Sequence, residues 1–318
     1  MSKLKVIDLF AGTGAFSTVF NKYENYEISY ANDFCKNSKI IFDQNHKIKL
    51  DTTNLNNVKL KDIPKHDILC AGFPCQPFSI SGQQKGFKDE RSNCFWSMLK
   101  IIKKYKPRIL ILENVKNLTT HDKCKTFKTI EQNLEKEGYI LKYKVLNTKE
   151  ITTIPQNRER IYIIGFKNKK DADNFNFEFT ETKNKPIRSF LEKNPDNKFY
   201  YTKDSAIYSK IFEKITKNIK DNVVYQYRRF YVRENKNNNV PTLTANMGTG
   251  GHNVPIIKDN KGIRKLTPKE CFNLQGFPKD YKLDGISNSG LYKLAGNAVS
   301  VPVVDLIIKK INKVLEND

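Results

Sequence analysis

Through its first half the chain alternates short apolar runs with amphipathic stretches, and this alternation constrains the fold more than any other feature. Leu4–Leu9 reads as a strand, followed by a glycine-rich turn and a helix from about Ala15. Glu27–Ala31, Asp67–Phe73 and Arg108–Leu112 read as further strands, with helices predicted over Phe34–Gln44, Cys94–Tyr105 and Cys124–Glu137. Strands separated by helices make a parallel, doubly wound α/β sheet, because each helix carries the chain back across one face of the sheet. Tyr139–Leu146 and Arg160–Phe166 then follow as strands with no helix between them, which predicts an antiparallel edge.

After Phe166 the pattern degrades. Lys167–Asn174 reads as a charged linker, and Asn176–Gly262 is rich in Asn, Lys and Tyr, with short alternating runs and a Gly-rich loop at 247–251. A second, smaller and irregular domain is expected there. Val301–Leu315 returns to helical periodicity and is expected to pack back on the first domain. The division expected is 1–184, 185–262 and 263–318, the last being a hinge and a returning helix.

Composition narrows the partners. Lys and Arg number 56 against 34 Asp and Glu, a formal charge of +22. Such a charge suits a polyanion, because neutralising phosphates releases condensed counterions; a genome biased toward Lys, Asn and Ile would give the same excess. Of six cysteines (Cys35, Cys70, Cys75, Cys94, Cys124, Cys271) none forms a C-x-x-C pair, and His46, His66, His121 and His252 do not cluster with them, which argues against zinc. No signal-like segment follows Met1, and no apolar run approaches the roughly 20 residues that span a bilayer. A soluble, cytoplasmic protein with free thiols is expected.

Two regions carry chemistry. Asp8-Leu9-Phe10-Ala11-Gly12-Thr13-Gly14 follows the first strand and opens a helix. Glycine there lets a ligand approach the backbone. Asp33 ends the second strand about 20 residues on, the spacing at which a carboxylate meets ribose hydroxyls in dinucleotide folds. Phe34 could stack on an adenine and Asp51 accept from its amine; the alternative is a helix cap and two surface acids. In the second region, Phe73-Pro74-Cys75-Gln76 stands at the carboxyl end of a buried strand, where α/β folds place ligands. A thiolate is a suitable nucleophile for an electron-poor ring carbon, whereas Cys70 reads as a buried structural thiol. Glu113-Asn114-Val115 ends the next strand on the same sheet edge, and Arg158 and Arg160 open a further one. Together these supply a nucleophile, an acid and anion-orienting donors.

With those residues in view, the sequence resembles the cytosine-5 DNA methyltransferases, most of all the compact bacterial enzymes of restriction–modification systems. The likeness is carried in order by D-L-F-A-G-T-G, G-F-P-C-Q-P-F-S-I-S-G, E-N-V, Q-N-R-E-R-I-Y-I-I-G-F, the late blocks Arg264–Cys271 and Gln275–Pro278, and Gly296-Asn297-Ala298-Val299. Asp33 and Phe34 stand where Glu and Trp are the commoner family residues. The resemblance implies a Rossmann-like sheet that uses S-adenosylmethionine (AdoMet, giving S-adenosylhomocysteine). It implies that Cys75 adds to carbon 6 of a cytosine flipped out of double-stranded DNA, with Glu113 on ring nitrogen 3 and the amine, Arg160 on the carbonyl oxygen and Arg158 in support. AdoMet would be held by Phe10, Ala11, Gly12, Gly14, Asp33, Phe34, Asp51, Thr52, Pro74, Asn297 and Val299. DNA would be met by Gln76, Ser79 and Ser81 in the loop Gln76–Arg91, which, hinged by Gly82 and Gly86, would close as a lid on the flipped base, and by Arg228, Thr242 and Leu243 in the smaller domain. No metal is implied, and a monomer is expected. A tRNA methyltransferase of the same superfamily, a non-catalytic DNA-binding paralogue and a nicotinamide dehydrogenase are the competing readings. The missing third glycine argues against the last.

Overall fold

In the computed structural model of the chain, residues 2–74, 93–204, 223–228, 231–235, 237–248 and 254–316 are described. Among them the strands β1 (Leu4–Leu9), β2 (Tyr26–Asn32), β3 (Ile68–Gly72), β4 (Ile109–Val115), β5 (Ile140–Asn147) and β6 (Glu159–Phe166) form one sheet in the order β2-β1-β3-β4-β6-β5. β1, β2, β3 and β4 pair in parallel, and β4 pairs with β6 antiparallel. The expected antiparallel element is therefore β6, and β5 forms the sheet edge beyond it. The helices α1 (Ala15–Phe20), α2 (Lys36–Asn45), α3 (Asn93–Tyr105) and α4 (Lys125–Lys136) fall between the strands as predicted.

Both faces of the sheet are covered, which is why its strands read as unbroken apolar runs. On one face Ile7, Leu9, Leu69, Leu110, Leu112, Ile161 and Ile163 pack with Met98, Leu99 and Ile102 of α3 and Ile130 and Leu134 of α4. The opposite set, Val6, Ile68, Cys70, Ile109, Ile111 and Ile164, is also fully buried. Cys70 is the structural thiol expected, and burial pushes its pKa well up.

The chain divides into two compact units: residues 1–146, 159–180 and 303–318, and residues 147–158 and 181–302. The C-terminal helix α9 (Val301–Glu316) gives Val303 onward to the first unit, burying Val304, Ile307, Ile308 and Ile311 along one stripe. Tyr23 donates to its Asp305 at 3.1 Å, and Tyr26 to its Asn312. Residues 263–302, expected as a hinge, group with the second unit instead.

Three expectations need correction. Lys167–Asn174 is not a linker: α6 (Lys169–Asn174) packs against β6, with Asn168 accepting from the Lys170 N–H as its cap. Its Asp171 is buried and takes two hydrogen bonds from Arg108, at 2.9 and 3.1 Å. The smaller unit is less irregular than expected. β7 (Val224–Arg228), β8 (Tyr231–Asn235), β9 (Ile256–Lys258) and β10 (Ile263–Lys265) form an antiparallel sheet in the order β10-β9-β7-β8. Strands as short as β9 and β10 leave little alternation to read. Finally, Asn288–Glu316 is long and apolar enough by composition to cross a membrane, but 67% of its most apolar window is buried. It is two helices, α8 (Asn288–Asn297) and α9, separated where Ala298 turns extended.

The second unit also holds α5 (Thr148–Ile151) and α7 (Pro268–Gln275). Thr267 and Glu270 make a capping box on α7, and both Glu270 oxygens accept from buried Arg264 at 2.8 Å. Asp259 takes the Arg264 Nε–H at 2.6 Å and the Tyr200 hydroxyl at 2.8 Å. The Arg264–Cys271 block noted in the sequence is thus a buried ion-pair network.

Candidate active site

Each compact unit holds part of the predicted set. In the first, β1 runs into a turn in which Phe10, Gly12 and Gly14 all have positive φ, at 55°, 55° and 80°. Glycine is required at 14, since a Cβ there would lie 2.3 Å from His46 Nε2 and 2.9 Å from the Phe42 ring. At Gly12 a Cβ would meet only Asp33 Oδ2, at 4.0 Å. Asp33 anchors this turn to the end of β2: one oxygen accepts from the Gly12 N–H at 2.8 Å and the other from the Cys35 N–H at 2.9 Å. Burial lifts its carboxyl above the usual range against those two bonds. Phe34 beside it is 69% exposed, an aromatic face open to solvent next to the turn. Asp51 is bridged to Asn32 and accepts from the Tyr30 hydroxyl at 2.6 Å and the Thr53 N–H at 2.8 Å. Burial would raise its pKa, but those bonds and Lys39 hold it below the usual value, so Asp51 is a fixed anion. Ala11 bonds to the Asn32 carbonyl at 3.0 Å, and Thr52 is half-buried.

Asp8, Tyr30 and His46 support this region and escaped the sequence reading. Asp8 Oδ2 accepts from the Ser17 amide at 3.1 Å and hydroxyl at 2.7 Å, tying α1 to β1. Its Oδ1 has no partner among the described residues, and complete burial pushes its pKa up to about 7. His46 is driven down to about 4 by burial, against a Thr13 main-chain bond. Asp8 opens the glycine motif and could have been found there; His46 lies in no motif.

At the carboxyl edge of the same sheet, Gly72 of β3 pairs with Glu113 of β4. The Asn114 side chain donates to the Phe73 carbonyl at 3.0 Å and so fixes the start of Phe73-Pro74. Pro74 is exposed; Cys75, Gln76, Ser79 and Ser81 lie outside the described residues. Glu113 pairs in register with Tyr162, and Val115 with Arg160, so Glu113 and Arg160 are diagonal neighbours on one sheet face. Glu113 Oε1 is 3.2 Å from Arg160 Nε, with side-chain exposures of 9% and 15%. A nearly buried carboxyl group beside a guanidinium can accept from an amine and, when protonated, donate to a ring nitrogen next to it, while the arginine donates to a carbonyl oxygen.

Arg158 departs from this arrangement, though it lies two residues from Arg160. It belongs to the second unit, is 2% exposed, and donates to the carbonyls of Leu243 at 2.9 Å, Gly296 at 3.2 Å and Ala298 at 2.8 Å. Its guanidinium holds main chain rather than orienting an anion. Leu243, predicted to meet DNA, is likewise fully buried, its amide bonded to Gln156 Oε1 at 3.2 Å. Thr242 is half-buried and donates to the Asn157 carbonyl at 2.5 Å. Asn297 is exposed and Val299 buried.

Arg228 stands at the end of β7 and is exposed. Register puts it opposite Tyr231, and Gln226 opposite Arg233, on one face of the β7–β8 hairpin. Tyr225, Tyr227 and Val232 pack on the other face. The first face buries Val224, Gln226 and Asn235, and at its turn end it exposes two arginines around Tyr231, which is 54% exposed. Among the described residues no group of three or more His, Cys, Asp or Glu could hold a metal ion.

Comparison with known proteins converges on one family. The family model for C-5 cytosine-specific DNA methylases matches residues 4–313. The Type II methyltransferase M.Bsp6I of Bacillus sp. (strain RFL6) is 48% identical over 314 residues, covering 98% of this chain and 99% of its own. The Type II methyltransferase M.HhaI of Haemophilus parahaemolyticus is 36% identical, covering 99% and 96%. In fold, the Entamoeba histolytica methyltransferase EhMeth superposes with a TM-score of 0.77 at 20% identity, covering 99% of both chains.

Proposed function

This chain belongs to the C-5 cytosine-specific DNA methylase family and is a DNA cytosine-5 methyltransferase; from that premise we propose that it methylates a flipped-out cytosine with AdoMet, through a transient bond to Cys75. The observation that carries the reading is the Glu113–Arg160 pair at the sheet edge where β3 hands the chain to Pro74-Cys75. Relatives named Type II methyltransferases support a place in restriction–modification.

Carbon 5 of cytosine is a weak nucleophile. Addition of the Cys75 thiolate to carbon 6 pushes electron density onto carbon 5. Glu113, in its protonated form, gives its proton to ring nitrogen 3 and accepts from the exocyclic amine, so the negative charge brought by the thiolate is neutralised, and Arg160 holds the carbonyl oxygen; the proton returns to Glu113 when the thiolate leaves. AdoMet supplies the electrophilic methyl. Loss of the carbon-5 proton to water then expels the thiolate and restores the ring. The base must leave the helix first, at a cost of a few kcal/mol. The residues fit the cofactor: the turn is open at Gly12, Asp51 is a fixed anion and Phe34 an exposed ring. Arg158 acts as a positioning residue, and contact with DNA falls to Arg228 and Thr242, with Leu243 behind them. The division of labour proposed is chemistry in the sheet unit and target reading in about 185–262.

Duplex DNA with 5-fluorocytosine at the target tests this, because fluorine cannot leave as a proton and the adduct persists. With AdoMet present, the enzyme is expected to form a denaturation-resistant complex that Cys75→Ser cannot form. A complex that survives in Cys75→Ser overturns the assignment, and bisulfite sequencing of treated DNA identifies the site.

A further inference from the structure

Gln156-Asn157-Arg158 runs as a strap past two loops that the sequence keeps far apart. Arg158 bonds to Leu243 in one loop and to Gly296 and Ala298 in the other. Gln156 accepts from the Leu243 amide at 3.2 Å, while its own amide donates to the Leu274 carbonyl at 2.8 Å. Gln275 then donates to the Ala295 carbonyl at 2.6 Å, at the end of α8. The Thr242 hydroxyl closes on Asn157. The loops also touch backbone to backbone: a Cβ on Gly296 would lie 2.1 Å from Thr244 C, 2.3 Å from its O and 2.4 Å from Ala245 N. No slack remains between them, and Gln156, Arg158, Leu243 and Gln275 are buried.

We infer that Arg158 is a positioning residue that makes the Thr242–Ala245 and Gly296–Val299 loops a single piece, and thereby couples DNA binding to AdoMet binding. The inference rests on the proposed reading in which Thr242 meets DNA, and on the assignment of Asn297 and Val299 to AdoMet that the family resemblance implies. A ligand that orders one loop orders the other, so the second ligand binds to a loop already fixed. The coupling must be reciprocal between the two ligands. Only a planar guanidinium with several divergent N–H groups can span three carbonyls; a lysine ammonium keeps the charge but is a compact point donor.

The test is calorimetric and uses the full chain, S-adenosylhomocysteine and a short duplex carrying the site found by bisulfite sequencing. In the wild type, the duplex is expected to tighten S-adenosylhomocysteine binding about 5-fold or more, within the usual range of coupling between sites. The same factor should appear for DNA when S-adenosylhomocysteine is added. Arg158→Lys should bring the factor close to one. Gly296→Ala, which forces the loops apart while leaving the Arg158 side chain itself unaltered, should do the same and serves if Arg158→Lys does not fold. A role in stability alone would lower the melting temperature and the active fraction yet leave the factor unchanged. An unchanged factor in a folded variant, or a factor of one in the wild type, overturns the inference. Failure of the wild type to bind S-adenosylhomocysteine at all would instead overturn the proposed function beneath it.

Discussion

Arg160 and Arg158 lie two residues apart and are held in opposite ways. Arg160 stands on a strand buried on both faces, and its partner Glu113 is set by strand register. Arg158 is fixed by side-chain bonds to carbonyls 85, 138 and 140 residues away in sequence. The same contrast separates the two compact units. In the first, apolar periodicity builds the sheet and the sheet aims the functional groups. In the second, buried polar side chains do much of the assembling beside a small apolar cluster: Arg158 and Gln156 reach distant main chain in two loops, and Arg264 pairs with Glu270 under α7. In the first unit the scaffold is built without the candidate site residues; in the second, Arg158 and Leu243, both candidates from the sequence, are part of the scaffold.

The largest effect that would sharpen this contrast is at Cys75. Cys75→Ser should abolish methyl transfer, because an alcohol is a far weaker nucleophile at neutral pH. Thermal unfolding should be unchanged; turnover near the wild-type rate would place the nucleophile elsewhere. Next is Glu270→Ala, which takes two of the charged contacts from the buried Arg264 guanidinium, leaves it only that with Asp259, and should cost about 3 kcal/mol in denaturant titration. A loss below about 1 kcal/mol would break the comparison, since polar links would then not be what holds the second unit. Glu113→Gln should lower the methylation rate on the order of 10²-fold with little change in unfolding midpoint; a rate within a few-fold of wild type would move the acid's role to another residue.

The smallest effect is a pH slope in the first unit. Asp8, raised to about 7, stabilises the fold below pH 4, and that contribution is lost as pH rises through 7. His46, lowered to about 4, stabilises it above pH 6.5, and that contribution is lost as pH falls toward 4. Between about pH 4 and 6.5 the two oppose each other, each at about 1.4 kcal/mol per pH unit. Asp8→Asn should therefore make stability climb more steeply with pH over that window, by about that slope. Denaturant midpoints at several pH values measure it, and parallel curves for variant and wild type would refute it.

How much of this was readable beforehand follows the same division. The strands of the first unit were legible because burial on both faces writes a continuous apolar run, and Glu113 because it ends one. The pairing of Glu113 with Arg160 was not, since it depends on antiparallel register. α6 read as a linker because its two inward residues, Asp171 and Ala172, are a charge and a small side chain. Arg158 and Leu243 carried a functional expectation because a motif names residue types without saying which way they point. In the second unit the bonds of Arg158 and Gln156 join residues remote in sequence, and no local pattern records them.

Gly296, pressed against the Thr244–Ala245 peptide, bears on how such an enzyme can acquire a new target. A foreign reading segment brings its own geometry, and any graft ending beyond Val240 would also replace the surface to which Gly296 is moulded. Val240 is itself stitched to Pro155 and Asn157 by 2.8 Å bonds. A workable splice leaves Val240–Ala245 resident and exchanges only what precedes it.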